Sequence, residues 1–388
     1  MKAALGQLDA NGDCLYATTI ARQIKADHPD CHLTWWISSQ CVHLLEANPF
    51  IDDVVVIPVP NWDATSREVA WAALKSELLR TQAGPEPFDR VWVPQIFPGN
   101  FRFFDGTVRP SMVRSYGGRL TVPIDPVIRL TSRERDRVAE FAGRQRLAER
   151  RHVVLFECSS NSGQSHVTPE FAIEVADRLA SRLPEVIVLL STMRPLGRLP
   201  ARVVSAGELT MRENLALLDH CSCFVGCGSG LTVVATCDDA KPVPNVQILS
   251  ASRSVLASFH HDFEYWGKPA ERFIEMPDGT AAAAAACIER CLVEGPSAAR
   301  AEFHEPVPLT FDFLFKIIET ALIERGLFID AAESLAHTRA RYPDRPEISA
   351  FARGRVLPLC PHDARAALPA AVRQMEFVSE QFCSSTQS

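Results

Sequence analysis

The sequence predicts an α/β protein: two consecutive doubly wound parallel sheets followed by a short run of helices. Three observations carry this. Short β-branched runs alternate with segments whose apolar residues recur every three or four positions, from Lys2 to Leu292; this is the pattern of parallel strands covered by helices on both faces. The alternation pauses at a charged helical segment, Ser132 to Glu149, and restarts at His152. From Glu305 the strand-like runs stop and helical patterns alone remain. The expected divisions are therefore residues 1–130, 131–300 and 305–388, and 388 residues suffice for two ordinary domains and an extension.

In order, Lys2 to Gln7 reads as a strand, Leu8 to Asp13 as a loop and Cys14 to His28 as a helix closed by Pro29-Asp30. His32 to Ser38 is the next strand, and Cys41 to Ala47 a short helix ended by Asn48-Pro49. Asp53 to Val59 is nearly all β-branched, as expected of a parallel strand buried on both faces. Val69 to Leu79 reads as a helix and Asp89 to Val93 as a strand. Pro94 to Gly118 carries Phe97, Phe101, Phe103, Phe104 and Tyr116, and is expected either to line a cleft or to form a satellite hydrophobic cluster. After the restart, His152 to Glu157 and Val186 to Ser191 are strands around the helix Pro169 to Leu183, whose proline suits a first helical turn. Thr210 to Asp219 is a helix with Thr210 and Glu213 spaced as a capping box. Val243 to Leu249 is a strand and Ala281 to Leu292 a helix. Thr310 to Arg325, Ile329 to Arg341 and Asp344 to Arg355 are consecutive helices resembling one tetratricopeptide unit and part of another. A single such unit cannot bury its own face, so packing against the rest of the chain is expected.

A net charge of −7 without basic blocks excludes a phosphate-backbone nucleic-acid binder. The start has no long apolar core before Asp9, and the six alanines from Ala281 fall well short of the roughly 18 residues of a membrane span. A cytoplasmic protein is expected, with peripheral attachment to a membrane face left open. The twelve cysteines are scattered in apolar surroundings and are expected to be reduced thiols acting as small hydrophobes. Cys221, Cys223 and Cys227 lack the paired spacing of a zinc site, and His260-His261 lacks further ligands, so no metal is expected.

The stretch of greatest chemical interest is Val225 to Thr232. Cys223 to Val225 enters it as a buried strand, and Leu231 to Thr236 leaves it as a helix. Gly226, Gly228 and Gly230 allow a sharp turn and a close ligand approach. Exposed amides at the helix start favour an anion. The dinucleotide fingerprint is not met, because Leu231 stands in place of its last glycine, and no Gly-Lys-Ser/Thr follows. A tight turn without a ligand is the alternative.

Four passages give these halves a family likeness. They are Gly12-Asp13 with its helix; Leu44-Leu45-Glu46-Ala47-Asn48-Pro49 before Phe50 to Val54; the strand from His152, its polar loop and Thr168-Pro169-Glu170-Phe171; and Gly207 to Leu217 before the glycine loop. In order and spacing, over residues 1–295, they resemble glycosyltransferase family 9, the heptosyltransferase-like enzymes. The resemblance implies the GT-B architecture: two Rossmann-like domains facing across a cleft, here with the helical extension. It also implies inverting transfer of a sugar from a nucleotide-sugar donor to a saccharide, lipid-linked glycan or protein acceptor. Three positions depart: Gly228 stands for the family aspartate, Val233 for its histidine and His166 for its lysine.

The resemblance makes Asp13 the general base, with Asp9, Asn11 and Gly12 on the acceptor side; helix capping is the alternative for Asp13. The donor diphosphate is expected on the amides of Gly228, Ser229, Gly230, Leu231 and Thr232 and the hydroxyls of Ser229 and Thr232, with no metal or cofactor required. Ser159, Ser160, Asn161 and His166 could face the same phosphates or serve as ordinary loop residues. Leu209 and Thr210 align with base-binding positions, or else are core and cap. Two further readings stay open: a sugar-nucleotide epimerase on the same architecture, and a non-catalytic binding or scaffold protein whose tail recruits a partner.

Overall fold

In the computed structural model, residues 1–61, 63–160, 163–253, 258–361 and 368–370 are described. The first sheet has the order β3-β2-β1-β4, with β1 (Lys2–Gly6), β2 (His32–Ser38), β3 (Asp53–Ile57) and β4 (Arg90–Trp92) all parallel. The second has the order β10-β9-β8-β5-β6-β7, again all parallel. Its strands are β5 (His152–Glu157), β6 (Val186–Ser191), β7 (Val203–Ser205), β8 (Cys223–Gly226), β9 (Asn245–Leu249) and β10 (Phe273–Pro277). The helices are α1 (Asn11–Asp27), α2 (Ala64–Gln82), α3 (Val108–Arg114), α4 (Ser132–Arg144), α5 (Pro169–Arg182), α6 (Glu213–Leu217) and α7 (Gly230–Val234). They continue as α8 (Phe259–Tyr265), α9 (Ala281–Glu294), α10 (Pro296–Phe303), α11 (Asp312–Ile317), α12 (Phe328–Arg341) and α13 (Pro346–Phe351).

Strand order reverses between β1 and β4 in one sheet and between β5 and β8 in the other. Ligands of open parallel sheets bind beyond the carboxyl ends of the strands at such switch points. The chain places Asp9 to Asp13 just after β1, Ser159 and Ser160 just after β5, and the glycine loop just after β8. Apolar packing on both faces makes these ends firm: Leu5, Ile20 and Trp35 are buried around the first sheet, and Val154, Phe156, Val188, Val225 and Ile248 around the second. Thr168 caps α5 by accepting from the Phe171 amide at 3.2 Å, with Pro169 in the first turn as its fixed φ favours.

The chain divides into two compact units, and not along the segments 1–130, 131–300 and 305–388. Both sheets lie in the first unit, Met1–Trp92 with Arg119–Leu309. The second joins Val93–Gly118 to the chain from Thr310. The aromatic segment after β4 is thus a satellite core with the C-terminal helices. Phe101 and Phe104 are buried, and Ser334 of α12 donates to the Phe104 carbonyl at 2.6 Å. Buried Asp105 accepts from the Thr107 amide at 3.0 Å, Ser111 Oγ at 3.1 Å and Arg114 at 2.7 Å, and Arg341 lies 3.6 Å away. The three C-terminal helices appear near the expected bounds; α11 continues through a π turn, Ile318–Leu322, and Phe315 stacks on Phe351 at 4.3 Å. Among the described residues no helix is long and apolar enough to cross a membrane.

Several elements differ from expectation. β3 is not buried on both faces: it ends its sheet, pairs only with β2, and leaves Val54, Val55 and Val56 at 40%, 37% and 44% exposure. A β-branched run reports strand preference, whereas burial depends on what covers it. The three-residue β7, β10 and the helix α10 lie in stretches where the sequence announced no element. The α6 segment is helical only from Glu213 to Leu217 before a 3₁₀ turn, Leu218–His220.

Candidate active site

The first half of the site is the start of α1. Asn11 opens the helix, so Asp13 sits inside its first turn and Ala10, without a side-chain bond, is the N-cap residue. Asp13 is therefore not the N-cap residue, although its carboxylate accepts from the Ala10 backbone, the return half of a capping box. Burial raises the Asp13 pKa from 3.8 to about 7, the charge of Asp9 adds to the rise, and the Ala10 bond and Arg67 oppose it. Asp9 is buried and its carboxylate lies 2.9 Å from Arg67 Nε of α2. The Asn11 amide oxygen accepts from Cys41 Sγ at 3.2 Å. Asp9 and Asn11 thus flank Asp13 while already engaged with the protein.

The second half is the loop from β8 to α7. Gly226 leaves no room for a side chain unless its neighbours shift: a Cβ there would lie 2.1 Å from Gln247 Nε2 and 2.4 Å from Thr232 Oγ1. Gly228 has φ +67°, the left-handed region that glycine alone enters without cost. The two helix starts meet here. A Cβ on Gly12 would lie 3.3 Å from Val233 Cγ2 and 3.8 Å from Gly230 Cα, and one on Gly230 would lie 3.1 Å from Asn11 Cβ. The structure therefore brings Asn11 and Gly12 against Gly230 and Val233, with Asp13 next to them in the first turn of α1.

Part of the expected anion bed is occupied from within the protein. Glu157, the last residue of β5 and only 3% exposed, turns its carboxylate into the loop. It accepts from the amides of Cys227 at 2.9 Å, Leu231 at 2.9 Å and Thr232 at 3.3 Å. It also accepts from the hydroxyls of Ser229 and, at 2.6 Å, Thr232. The Gly228 amide donates to Gln247 Oε1 at 3.3 Å. The Leu231 and Thr232 amides and the Ser229 and Thr232 hydroxyls, expected on a diphosphate, are engaged here with an internal carboxylate. A single acidic residue ending the apolar strand His152 to Phe156 was the available signal, and its direction could not be read from the sequence.

The other donor-side residues separate. Ser159 and Ser160 are half-buried beyond β5, and Asn161 lies outside the described residues. His166 is exposed; its Nε2 donates to the Gly279 carbonyl at 3.0 Å and its ring stands edge-on to Phe171. Leu209 is core, and Thr210 forms the capping box, its amide donating to Glu213 at 2.7 Å and its hydroxyl accepting from the Glu213 amide at 3.2 Å. Both side chains are thus engaged in the fold, as core and as cap. Cys221, Cys223 and Cys227 are buried free thiols, and His261 Nε2 donates to the Val307 carbonyl at 2.7 Å. Among the described residues no group of histidine, cysteine and acidic side chains is arranged to hold a metal.

Sequence reasoning also missed Arg212. This buried side chain pairs with Glu134 of α4 at 2.6 and 2.9 Å and donates to the carbonyls of Arg129 at 2.7 Å, Glu46 at 3.0 Å and Leu44 at 3.3 Å. It ties the turn after β2 to the helix that precedes the second sheet.

No family model and no curated protein sequence matches the chain. Solved structures do. The glycosyl transferase family 9 structure from Veillonella parvula matches with a TM-score of 0.50 at 14% identity, over 83% of this chain and 97% of that one. E. coli heptosyltransferase WaaC with ADP matches with a TM-score of 0.48 at 16% identity, over 76% and 99%. A putative UDP-N-acetylglucosamine 2-epimerase from Listeria monocytogenes matches with a TM-score of 0.47 at 10% identity, over 79% and 92%. At these identities the likeness speaks for the fold, and the first match carries it. With two all-parallel sheets whose switch points open toward neighbouring helix starts, the chain has a GT-B fold similar to that of the family 9 glycosyl transferase.

Proposed function

We propose that the chain is a glycosyltransferase, in which Asp13 removes the proton from an acceptor hydroxyl. The observation that carries this is Asp13 itself: a carboxyl whose pKa is raised to about 7, at the start of α1 beside the loop after β8. A general base works best when its pKa lies near the working pH. In the reaction the acceptor oxygen bonds to the anomeric carbon, the bond from that carbon to the diphosphate breaks, and the hydroxyl proton ends on Asp13. One displacement inverts the anomeric centre. The donor is a nucleotide sugar, as the ADP in the WaaC structure suggests by analogy, and the acceptor a saccharide, lipid-linked glycan or protein. No metal or other cofactor enters this scheme. Peripheral attachment to a membrane and a protein partner on the helical unit belong to the same proposal.

The test is turnover of a panel of nucleotide sugars with saccharide acceptors, comparing the native chain with Asp13→Asn. Transfer should fall by about 10²–10⁴-fold with donor affinity kept. Epimerisation of a donor with no acceptor present would favour the epimerase reading. A non-catalytic binding protein is the second reading, favoured by the Glu157 carboxylate on the loop donors. It requires that no nucleotide or nucleotide sugar stabilises the protein in a thermal-shift screen, where ligand binding would raise Tm.

A further inference from the structure

We infer that Glu157 is the built-in anion of the glycine loop: a positioning residue that fixes the loop after β8 and keeps phosphate off the amides of Cys227, Leu231 and Thr232. Three facts converge. The carboxylate is buried at the carboxyl end of the central strand β5, at the switch point of the sheet. Both its oxygens are used, Oε2 by the Cys227 amide and the Thr232 hydroxyl, Oε1 by the amides of Leu231 and Thr232 and the Ser229 hydroxyl. Every one of these contacts donates to it, as an acceptor-only carboxylate requires. A phosphate that took the same amides would have to expel Glu157 or sit against its charge without water between them. The loop therefore comes with its countercharge supplied, and a donor diphosphate bound by this chain makes its contacts without the Leu231 and Thr232 amides. This determines which anions the site accepts, and it stands whether or not the chain transfers a sugar.

The test reads the loop directly. In the native chain, backbone amide NMR shifts of Leu231 and Thr232 should stay in place when inorganic pyrophosphate is added at millimolar concentration and constant ionic strength. Movement of both, as expected of phosphate on those amides, would overturn the inference. Pyrophosphate binding elsewhere, or failure of the transferase reading, leaves this measurement unchanged. In Glu157→Ala the loop donors lose their partner; Tm should fall, and formate should restore it while chloride at equal ionic strength does not. A fall that formate does not reverse would show Glu157 to be a packing residue only. If Glu157→Ala does not fold, Glu157→Gln replaces it. Its amide fills the same space but sets an NH₂ against the loop donors, so Tm should fall and formate should not restore it; an unchanged Tm would overturn the inference.

Discussion

Asp13 holds its proton at a pH where a free aspartic acid is ionised, which links chemistry to stability at one residue. Its pKa is raised from 3.8 to about 7 by burial and the nearby Asp9. The folded chain therefore binds this proton more tightly than the unfolded one. The stability that follows is present below about pH 4, is lost as pH rises, and is gone above about 7. Asp13→Asn removes the cost of holding a charge in this partly desolvated position. It should raise stability at pH 8 by about 1–3 kcal/mol, allowing for partial screening by solvent, and change little at pH 4. Urea unfolding at the two pH values measures this. In the native chain, kcat/KM for transfer should climb as pH rises through about 7, as the base loses its proton. Arg212 works in the opposite sense. Burial pushes the Glu134 carboxyl up, but the Arg212 guanidinium and the Thr131 amide outweigh it and hold the pKa at about 2. The stabilisation is present above about pH 4.5 and is lost as pH falls toward 2. Arg212→Met leaves Glu134 without its cation and three carbonyls without a donor. A loss of about 3–5 kcal/mol is expected, read as a lower denaturation midpoint that narrows in difference toward pH 3.

Among the elements, the β8–α7 connection tolerates little change at Gly226. Its backbone passes so close to Gln247 and Thr232 that Gly226→Ala would push a methyl into two buried polar side chains. Overpacking of that kind costs about 1–3 kcal/mol, and because Thr232 and Gln247 both contact the loop, the cost should appear with faster hydrogen exchange at Leu231 and Thr232. The α1 start depends on this as well, since Val233 and Gly230 pack against Gly12. α1 itself was readable in the sequence because its apolar face repeats at helical spacing: Leu15, Ile20, Ala21 and Ile24 are all buried. β3 shows where such reading stops. Its run of valines correctly named a strand, but an edge position is a property of the sheet order and left those valines half in solvent.

For the molecule as a whole, the second compact unit joins the chain's C-terminal helices to a segment more than two hundred positions earlier, as the Ser334 to Phe104 bond shows. Asp105 is the centre of that unit's polar core. Asp105→Ala leaves the Thr107 amide without this acceptor and the Arg114 guanidinium without its countercharge, so a destabilisation of about 3 kcal/mol is expected. Limited proteolysis should then cut within residues 93–118 and within the C-terminal helices together, while the two sheets stay protected.

By itself the sequence determined that the chain is α/β with two parallel sheets and a helical tail, and that Asp13 and the glycine loop each follow a strand at its carboxyl end. Those features are set by local periodicity and by residues such as Gly228, whose conformation few other residues adopt. Only the tertiary structure decided that Glu157 reaches from β5 into the loop after β8, that Arg212 spans helix and turn, and that the aromatic segment packs with the tail. Each of these joins residues far apart in the chain through the direction of a side chain, and direction is set by packing across the sheet, on which neighbouring letters in the sequence carry no information.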